Sequence, residues 1–350
     1  MGFVLGLAAA LWALGHWMGA PHRARWVMLG VLYLAVLAVQ IGLPIDHPLR
    51  QASGGSLGEW LFLGGLVALV LIYRQGLGRL RMRAADRAAR DAAAAPPVSP
   101  AGPFSDAELE RYARHITLRE IGGQGQRALK GARVLVVGAG GLGAPALLYL
   151  AAAGVGRIGV IDADVVSLSN LQRQVIHTDD RQGMPKVFSA QRAMAAINPH
   201  VDIRPYNRML TDDIAADLFA QYDLILDGTD SFAVRAMINR AAVAAGKPVV
   251  AGAISAWEGQ VTVYDPARGA PCMACIFPQA PAPGLAATCA ETGVVGALPG
   301  VVGAMMAMEA IKRITGAGEG LAGRMLIHDA LRAESREIRL ARRPDCPVCG

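Results

Sequence analysis

No lysine or arginine occurs in the first apolar run, Met1 to Ala20, and no lysine occurs anywhere in residues 1–99. A cleaved signal peptide needs a basic start and a small-residue cleavage site followed by soluble chain. Here the start is not basic and a second apolar run follows after only PHRAR, so that reading is set aside. Internal repeats are absent, which excludes solenoid and propeller architectures. No Ser/His/Asp arrangement stands out, so nothing points to a nucleophile activated as in serine hydrolases. Cysteines number only five, and their positions matter more than their count.

Charge is missing over the twenty positions from Trp26 to Ile45, enough helix to cross a bilayer core. Met1 to Ala20 has His16 as its only ionisable side chain, and a third run, Trp60 to Tyr73, is short unless it extends back past Glu59. These runs predict about three transmembrane helices within residues 1–83. Arg23 and Arg25 fall in the first loop, and Asp46, Arg50 and Glu59 in the second. Arg74, Arg79, Arg81, Arg83, Arg87 and Arg90 follow the third run. The positive-inside rule then puts the N-terminus outside and the chain beyond Arg74 in the cytoplasm. The expectation is a multi-pass protein of the inner (cell) membrane.

The net charge of +6 is uneven: residues 1–99 hold nine of the 34 bases and four of the 28 acids, leaving 25 against 24 in the remainder. The pI near 9.3 therefore reflects membrane topology and anionic lipid, and a nucleic-acid partner loses its main support. Residues 84–104 (AADRAARDAAAAPPVSPAGPF) read as an Ala/Pro-rich linker whose proline-containing half cannot be helical. An α/β domain is expected over residues 105–350.

That domain opens with VLVVGAGGLGAPALLYLAAAGVGRIGVIDAD, residues 134–164, which reads as strand, glycine turn, helix, strand and acids. Gly138, Gly140, Gly141 and Gly143 let backbone approach a phosphate, and the following helix start supplies free N–H groups. Asp162, 24 residues after Gly138, stands where an acid binds ribose hydroxyls in a dinucleotide fold. The motif alone specifies a nucleotide without saying which one. Arg173 and Lys186 add the cations that a triphosphate requires beyond a pyrophosphate. The strand Asp223 to Asp227 ends in GTD, placing Asp230 where a carboxylate can hold Mg²⁺. For Arg173 and Lys186 the plain alternative is a solvated charge, and for Asp230 an N-cap of the next helix.

Cys272-Met-Ala-Cys275 and Cys346-Pro-Val-Cys349 form two CxxC pairs. In a reducing cytoplasm such pairs fit a closed tetrahedral Zn²⁺ site better than disulfides, with a redox dithiol as the rival. Cys289 follows the Pro-rich stretch PQAPAPGLAA. It is either a small buried residue or an accessible nucleophile.

From about Phe104 to the end, the chain resembles the MoeB/ThiF/HesA family, relatives of the ubiquitin-activating enzymes. The likeness rests on RYAR at 111–114, GAGGLG at 138–143, DAD at 162–164, SNLQRQ at 169–174, Lys186, DGTD at 227–230, both CxxC pairs and the closing CPVCG. It implies a Rossmann-like ATP-binding fold with a mostly parallel sheet and a zinc-tied C-terminal part. The implied activity is ATP-dependent adenylation of the C-terminal glycine of a ubiquitin-like sulfur carrier ending in Gly-Gly. ATP, Mg²⁺ and Zn²⁺ are the implied cofactors. By resemblance Asp162 binds ribose, Asn170, Arg173 and Lys186 contact phosphates, and Asp164 and Gln174 complete the ATP set. Asp230 holds Mg²⁺, Cys272, Cys275, Cys346 and Cys349 hold zinc, and Arg114 reaches the neighbouring subunit's γ-phosphate, which implies a homodimer. Cys289 aligns with a cysteine that in some members attacks the activated carrier.

A C-terminal carboxylate is already ionised at neutral pH, so such a reaction needs positioning and charge cancellation but no general base. His115, His177 and His328 accordingly read as structural histidines. Ser231 stands where the family often has Asn, and Met273-Ala274 where Tyr-Arg is usual. The apolar N-terminal region is an addition to the family pattern. The small subunit of molybdopterin synthase is the expected carrier, with the thiamine sulfur carrier as runner-up. A non-catalytic carrier-binding scaffold and an NAD-dependent oxidoreductase are the rivals from other classes.

Overall fold

The computed structural model describes residues 2–19, 21–94, 102–279 and 293–350. It divides into two compact units, Met1–Ala88 and Ala89–Gly350.

The first unit contains α1 (Gly2–Trp17), α2 (His22–Gly42), α3 (Pro48–Ser53) and most of α4 (Leu57–Ala94). Its small interior gathers Val4, Val36 and Trp60 with Tyr33 and Leu63 around them. Glycine at residue 64 leaves room for the Tyr33 ring, since a Cβ there would stand 1.9 Å from the Tyr33 hydroxyl oxygen. The Tyr33 hydroxyl donates to the Trp60 carbonyl (2.8 Å), and Trp60 Nε1 donates to the Gly54 carbonyl (2.8 Å). The outer surface is strongly apolar, with Phe3, Leu14, Val31, Leu34, Phe62 and Ile72 all exposed.

Among the described residues one stretch, Ala24–Gly42, is long and apolar enough to cross a membrane. The three-span expectation therefore meets the length criterion once. The 16 residues of α1 rise only about 24 Å, short of the roughly 30 Å hydrocarbon core. Leu57–Tyr73 is a shorter apolar segment of α4. That helix does extend back past Glu59.

The second unit carries one eight-stranded sheet in the order β3-β2-β1-β4-β5-β6-β7-β8. Its strands are β1 (Arg133–Val137), β2 (Arg157–Ile161), β3 (Asp202–Tyr206), β4 (Leu224–Asp227), β5 (Val249–Ile254), β6 (Glu258–Tyr264), β7 (Arg324–Asp329) and β8 (Glu334–Arg339). Strands β1 to β5 are parallel, and β6, β7 and β8 add antiparallel hairpins at one side. Apolar runs such as Val134 to Val137 suit this position, because parallel strands are covered on both faces. Leu135 and Val137 join the core under α9 (Asp212–Ala220) and α10 (Phe232–Ala244). The opposite face carries α7 (Gly143–Ala153), α8 (Lys186–Ile197) and α12 (Ala297–Thr315), with α11 (Met273–Ile276) between β6 and α12 in the chain.

Two further helices, α5 (Asp106–Ile116) and α6 (Gly122–Gly131), precede β1. Ser105 and Glu108 form a capping box at the start of α5, which satisfies two backbone donors reciprocally. Fully buried Asn198 fastens this region. Its Nδ2 donates to the Tyr112 hydroxyl (2.8 Å) and the Ala151 carbonyl (2.7 Å), and its Oδ1 accepts from the His200 N–H (3.2 Å).

Asn198→Ala strands these buried groups without partners. It is expected to lower the stability of the second unit by roughly 2–3 kcal/mol, since each unsatisfied buried group costs about 1–3 kcal/mol. Denaturant unfolding followed by circular dichroism checks this.

Candidate active site

The glycine turn leaves β1 at Val137 and enters α7 at Gly143. Gly138 has φ +95°, a left-handed conformation that side chains resist. A Cβ on Gly143 would lie 1.9 Å from the Gly138 carbonyl oxygen, and one on Gly138 would lie 3.2 Å from that of Gly228. The loops after β1 and β4 thus meet backbone to backbone. Chain order reverses between these two neighbouring strands, and there a doubly wound sheet opens its ligand crevice. The N–H groups of Gly140, Gly141 and Leu142 donate to no acceptor among the described residues, leaving them available to an anion at the start of α7.

The expected polar groups gather on this crevice. Asp162 Oδ2 accepts from the Ala139 N–H and Oδ1 from the Asp164 N–H, both at 2.8 Å. A carboxylate has about four lone-pair sites, so the partly exposed side chain retains capacity for ribose hydroxyls. Lys186 opens α8, and its buried Nζ lies 2.8 Å from exposed Asp164. Arg173 Nη1 donates to the Ser169 carbonyl (3.1 Å), and Asn170 Oδ1 accepts from the Ser167 hydroxyl (3.0 Å). Gln174 is buried beside Gly140, and its Oε1 has no partner among the described residues. A glycine cradle, unspent amides and two cations fit a polyphosphate, and the orphaned amide oxygen can accept from a nucleotide hydroxyl or amino group.

Asp230 is exposed and forms no ion pair among the described residues. It is not a helix cap: Ser231 occupies the N-cap of α10 without a side-chain cap bond. The turn that presents it is built by residues the sequence reading passed over. Buried Asp227 accepts from the Thr229 N–H (3.0 Å) and hydroxyl (2.7 Å). Burial raises the Asp227 pKa, against Arg235 and these two bonds. Arg235 donates from Nε to the Thr229 carbonyl (3.0 Å) and from Nη2 to the Gly252 carbonyl (2.8 Å). No local motif marks Arg235, because its partners lie in a turn and a neighbouring strand.

Arg114 stands elsewhere. Its neighbours dock α5: Arg111 Nη1 donates to the Ile197 carbonyl (2.6 Å), the Tyr112 ring lies against Gly154, and His115 Nδ1 meets Gln126 Oε1 (3.2 Å). Ile197 and Gly154 mark the C-terminal ends of α8 and α7, whereas the glycine turn meets the N-terminal end of α7. The 11 residues of α7 separate the two ends by about 16 Å. The Arg114 side chain is exposed and has no side-chain partner among the described residues. It does not join the crevice of its own chain. A cavity of about 480 Å³ at the same sheet end is lined by Asp223 and Asp265, already paired with Arg133 and Arg313.

The four paired cysteines do come together. The Cys272–Cys275, Cys272–Cys346 and Cys275–Cys349 sulfurs lie 3.9, 3.7 and 3.5 Å apart, and all four sulfurs fall within 4.8 Å of one another. Tetrahedral zinc with Zn–S near 2.3 Å requires sulfurs about 3.8 Å apart, so the thiols fit that ion. Asn239 Nδ2 lies 3.7 Å from Cys272 Sγ while its Oδ1 accepts from the Met273 N–H (2.8 Å), and the Arg343 N–H lies 3.5 Å from Cys275 Sγ. Burial opposes ionisation of Cys346, but the Val348 and Cys349 backbone N–H groups and the neighbouring thiols bring its pKa down to about 7. Cys289 lies outside the described residues.

Comparison with known proteins places these features in context. The ThiF family model matches residues 112–348. The sulfur carrier protein adenylyltransferase of Thermus thermophilus is 48% identical over 247 residues, covering 69% of this chain and 91% of that protein. The molybdopterin-synthase adenylyltransferase of Escherichia coli is 48% identical over 250 residues, covering 71% and 98%. A crystal structure of E. coli MccB with MccA-N7isoASN shares the fold, with a TM-score of 0.61 at 24% identity over 69% of this chain and 75% of that one.

The thiol cluster generates a metal-content prediction. The purified protein is expected to carry one zinc ion per chain by plasma emission spectrometry, and Cys346→Ser to lose it. Chelation of the wild type should lower the melting temperature of the second unit, because binding free energy at a structural site is folding free energy.

Proposed function

The chain belongs to the ThiF family, and from that premise we propose that it uses ATP to adenylate the C-terminal glycine of a ubiquitin-like sulfur carrier. The carrier in this reading is the small subunit of molybdopterin synthase, a choice supported by the likeness to the E. coli molybdopterin-synthase adenylyltransferase. The observation that supports this reading is the crevice between β1 and β4, where unspent turn amides lie against the loop that carries Asp230, with Arg173 beside Gly141.

A carrier carboxylate, with a pKa near 3.5, attacks as the anion without a general base. Its oxygen forms a bond to the α-phosphorus, the bond from that phosphorus to the β-phosphate oxygen breaks, and pyrophosphate leaves. What the reaction needs is alignment and stabilisation of growing charge. The amides of Gly140, Gly141 and Leu142 receive phosphate oxygens, and Asp162 receives the ribose. Lys186, buried and paired with Asp164, is held ready to turn to a phosphate, since an unpaired buried ammonium would be costly. Arg173 and Asn170 flank the same oxygens, and the free amide oxygen of Gln174 is left to accept from a nucleotide hydroxyl or amino group. Mg²⁺ held by Asp230 would neutralise phosphate charge. Since Arg114 lies at the far end of its own sheet, it serves the crevice of a second copy in a homodimer. Cys289 is assigned no step here.

The first unit anchors the enzyme in the inner membrane as a multi-pass region with the catalytic unit in the cytoplasm. Its exposed Phe3, Val31, Leu34, Phe62 and Ile72 are side chains that a lipid environment would cover.

ATP–pyrophosphate exchange with detergent-solubilised full-length protein tests the activity. Exchange is expected with the molybdopterin-synthase subunit and to fall at least 100-fold in Asp230→Ala. Exchange with the thiamine carrier alone would reassign the substrate. Binding of Mg·ATP and carrier without any exchange would establish the scaffold reading. Arg114→Ala and Asp230→Ala should each be inactive, yet dissociated and remixed they should recover about a quarter of wild-type activity, because half the random dimers have one intact site of two.

A further inference from the structure

His177 lies outside every motif that points to phosphate chemistry, yet it is buried against the glycine turn. Its Nε2 is 2.9 Å from the Ala139 carbonyl oxygen, and its Nδ1 is 3.0 Å from the Ser189 hydroxyl. We propose that His177 is a positioning residue for nucleotide binding, a strut that fixes the glycine turn against the lysine-bearing helix α8 in the Nε2-protonated neutral tautomer. This rests on the reading that the turn binds Mg·ATP.

The tautomer follows from the partners. A carbonyl oxygen only accepts, so the proton of the neutral ring sits on Nε2. Nδ1 then accepts from Ser189, whose hydroxyl can donate. The polar chain runs Ser189 to His177 to Ala139, with each donor aimed at an acceptor. Burial lowers the His177 pKa, and the nearby Lys186 and Arg181 charges act in the same direction, which favours the neutral ring.

The consequence falls on Ala139. Its N–H donates to Asp162 and its carbonyl accepts from His177, so both of its peptide planes are held. The plane held through the carbonyl also carries the N–H of Gly140, the first unspent donor of the turn. At its other end the strut grips Ser189, one helical turn after Lys186, and Arg181 Nη1 donates to the Ser189 carbonyl (3.0 Å). Turn amides and lysine are therefore kept at one spacing by a side chain that touches no phosphate itself.

Three measurements on full-length protein in detergent test this. First, ¹⁵N chemical shifts of labelled imidazole, assigned by comparison with His177→Gln, should show a neutral ring protonated at Nε2 at pH 7.5. A ring protonated at Nδ1 or at both nitrogens overturns the proposal, even if His177→Phe fails to fold. Second, calorimetric affinity for Mg·ATP without carrier should weaken about tenfold in His177→Phe and recover to within threefold in His177→Gln, whose amide can donate to Ala139. Third, exchange assays should show the KM for ATP rising with kcat changed less than threefold. Affinity unchanged in folded His177→Phe, with the wild type binding normally, would reduce His177 to a core residue. Failure of the wild type itself to bind Mg·ATP would remove the nucleotide reading and this inference with it.

Discussion

The closeness of two backbones governs the catalytic unit. Where the loops after β1 and β4 meet, a Cβ on Gly138 would crowd the Gly228 carbonyl oxygen at 3.2 Å, and one on Gly228 would lie 3.2 Å from the Gly143 nitrogen. The approach has two effects. It directs the start of α7 into the crevice with its amides unspent, and it brings the Asp230 turn beside them. A methyl group at Gly143 would strike the Gly138 carbonyl and force the glycine turn open, dispersing its donors.

Around that contact, charges are held by partners that a nucleotide can replace or share. Lys186 rests on Asp164, while Asp162 shapes the turn through Ala139. Each anion thus has a structural task before ligand arrives, which keeps the cations and amides from collapsing onto each other. Pre-arranged dipoles and charges stabilise a transition state without reorganising during the reaction. Arg235 and Asp227 do the corresponding work under Asp230 without facing the crevice.

The cysteine cluster has a different purpose. Cys346 and Cys349 lie in the last five residues, and their packing on Cys272 and Cys275 fastens the chain end beside α10, where Asn239 lies within reach of Cys272 Sγ. The thiols sit apart from the glycine turn, so a metal held there would act through stability. α12 reaches the crevice more directly: Gly303 approaches the Leu142 carbonyl, and Pro299 lies against Gly141.

Features carried by short spacings were legible in the sequence: the strand–turn–helix of residues 134–153, the acids after β2 and β4, and the two CxxC pairs. Backbone conformation and ligand geometry are decided within a few residues there, so adjacent letters contain the cause. The apolar N-terminal runs showed their composition, but only one of them as a helix of spanning length, because helix ends depend on caps and breakers as well as hydropathy. Tertiary structure alone decided that Arg114 stands at the far sheet end, that His177 braces Ala139 38 residues away, and that Arg235 clamps the Thr229 turn to β5. Those positions arise when the sheet brings distant segments together, and pairing across space leaves no periodicity in the chain that produces it.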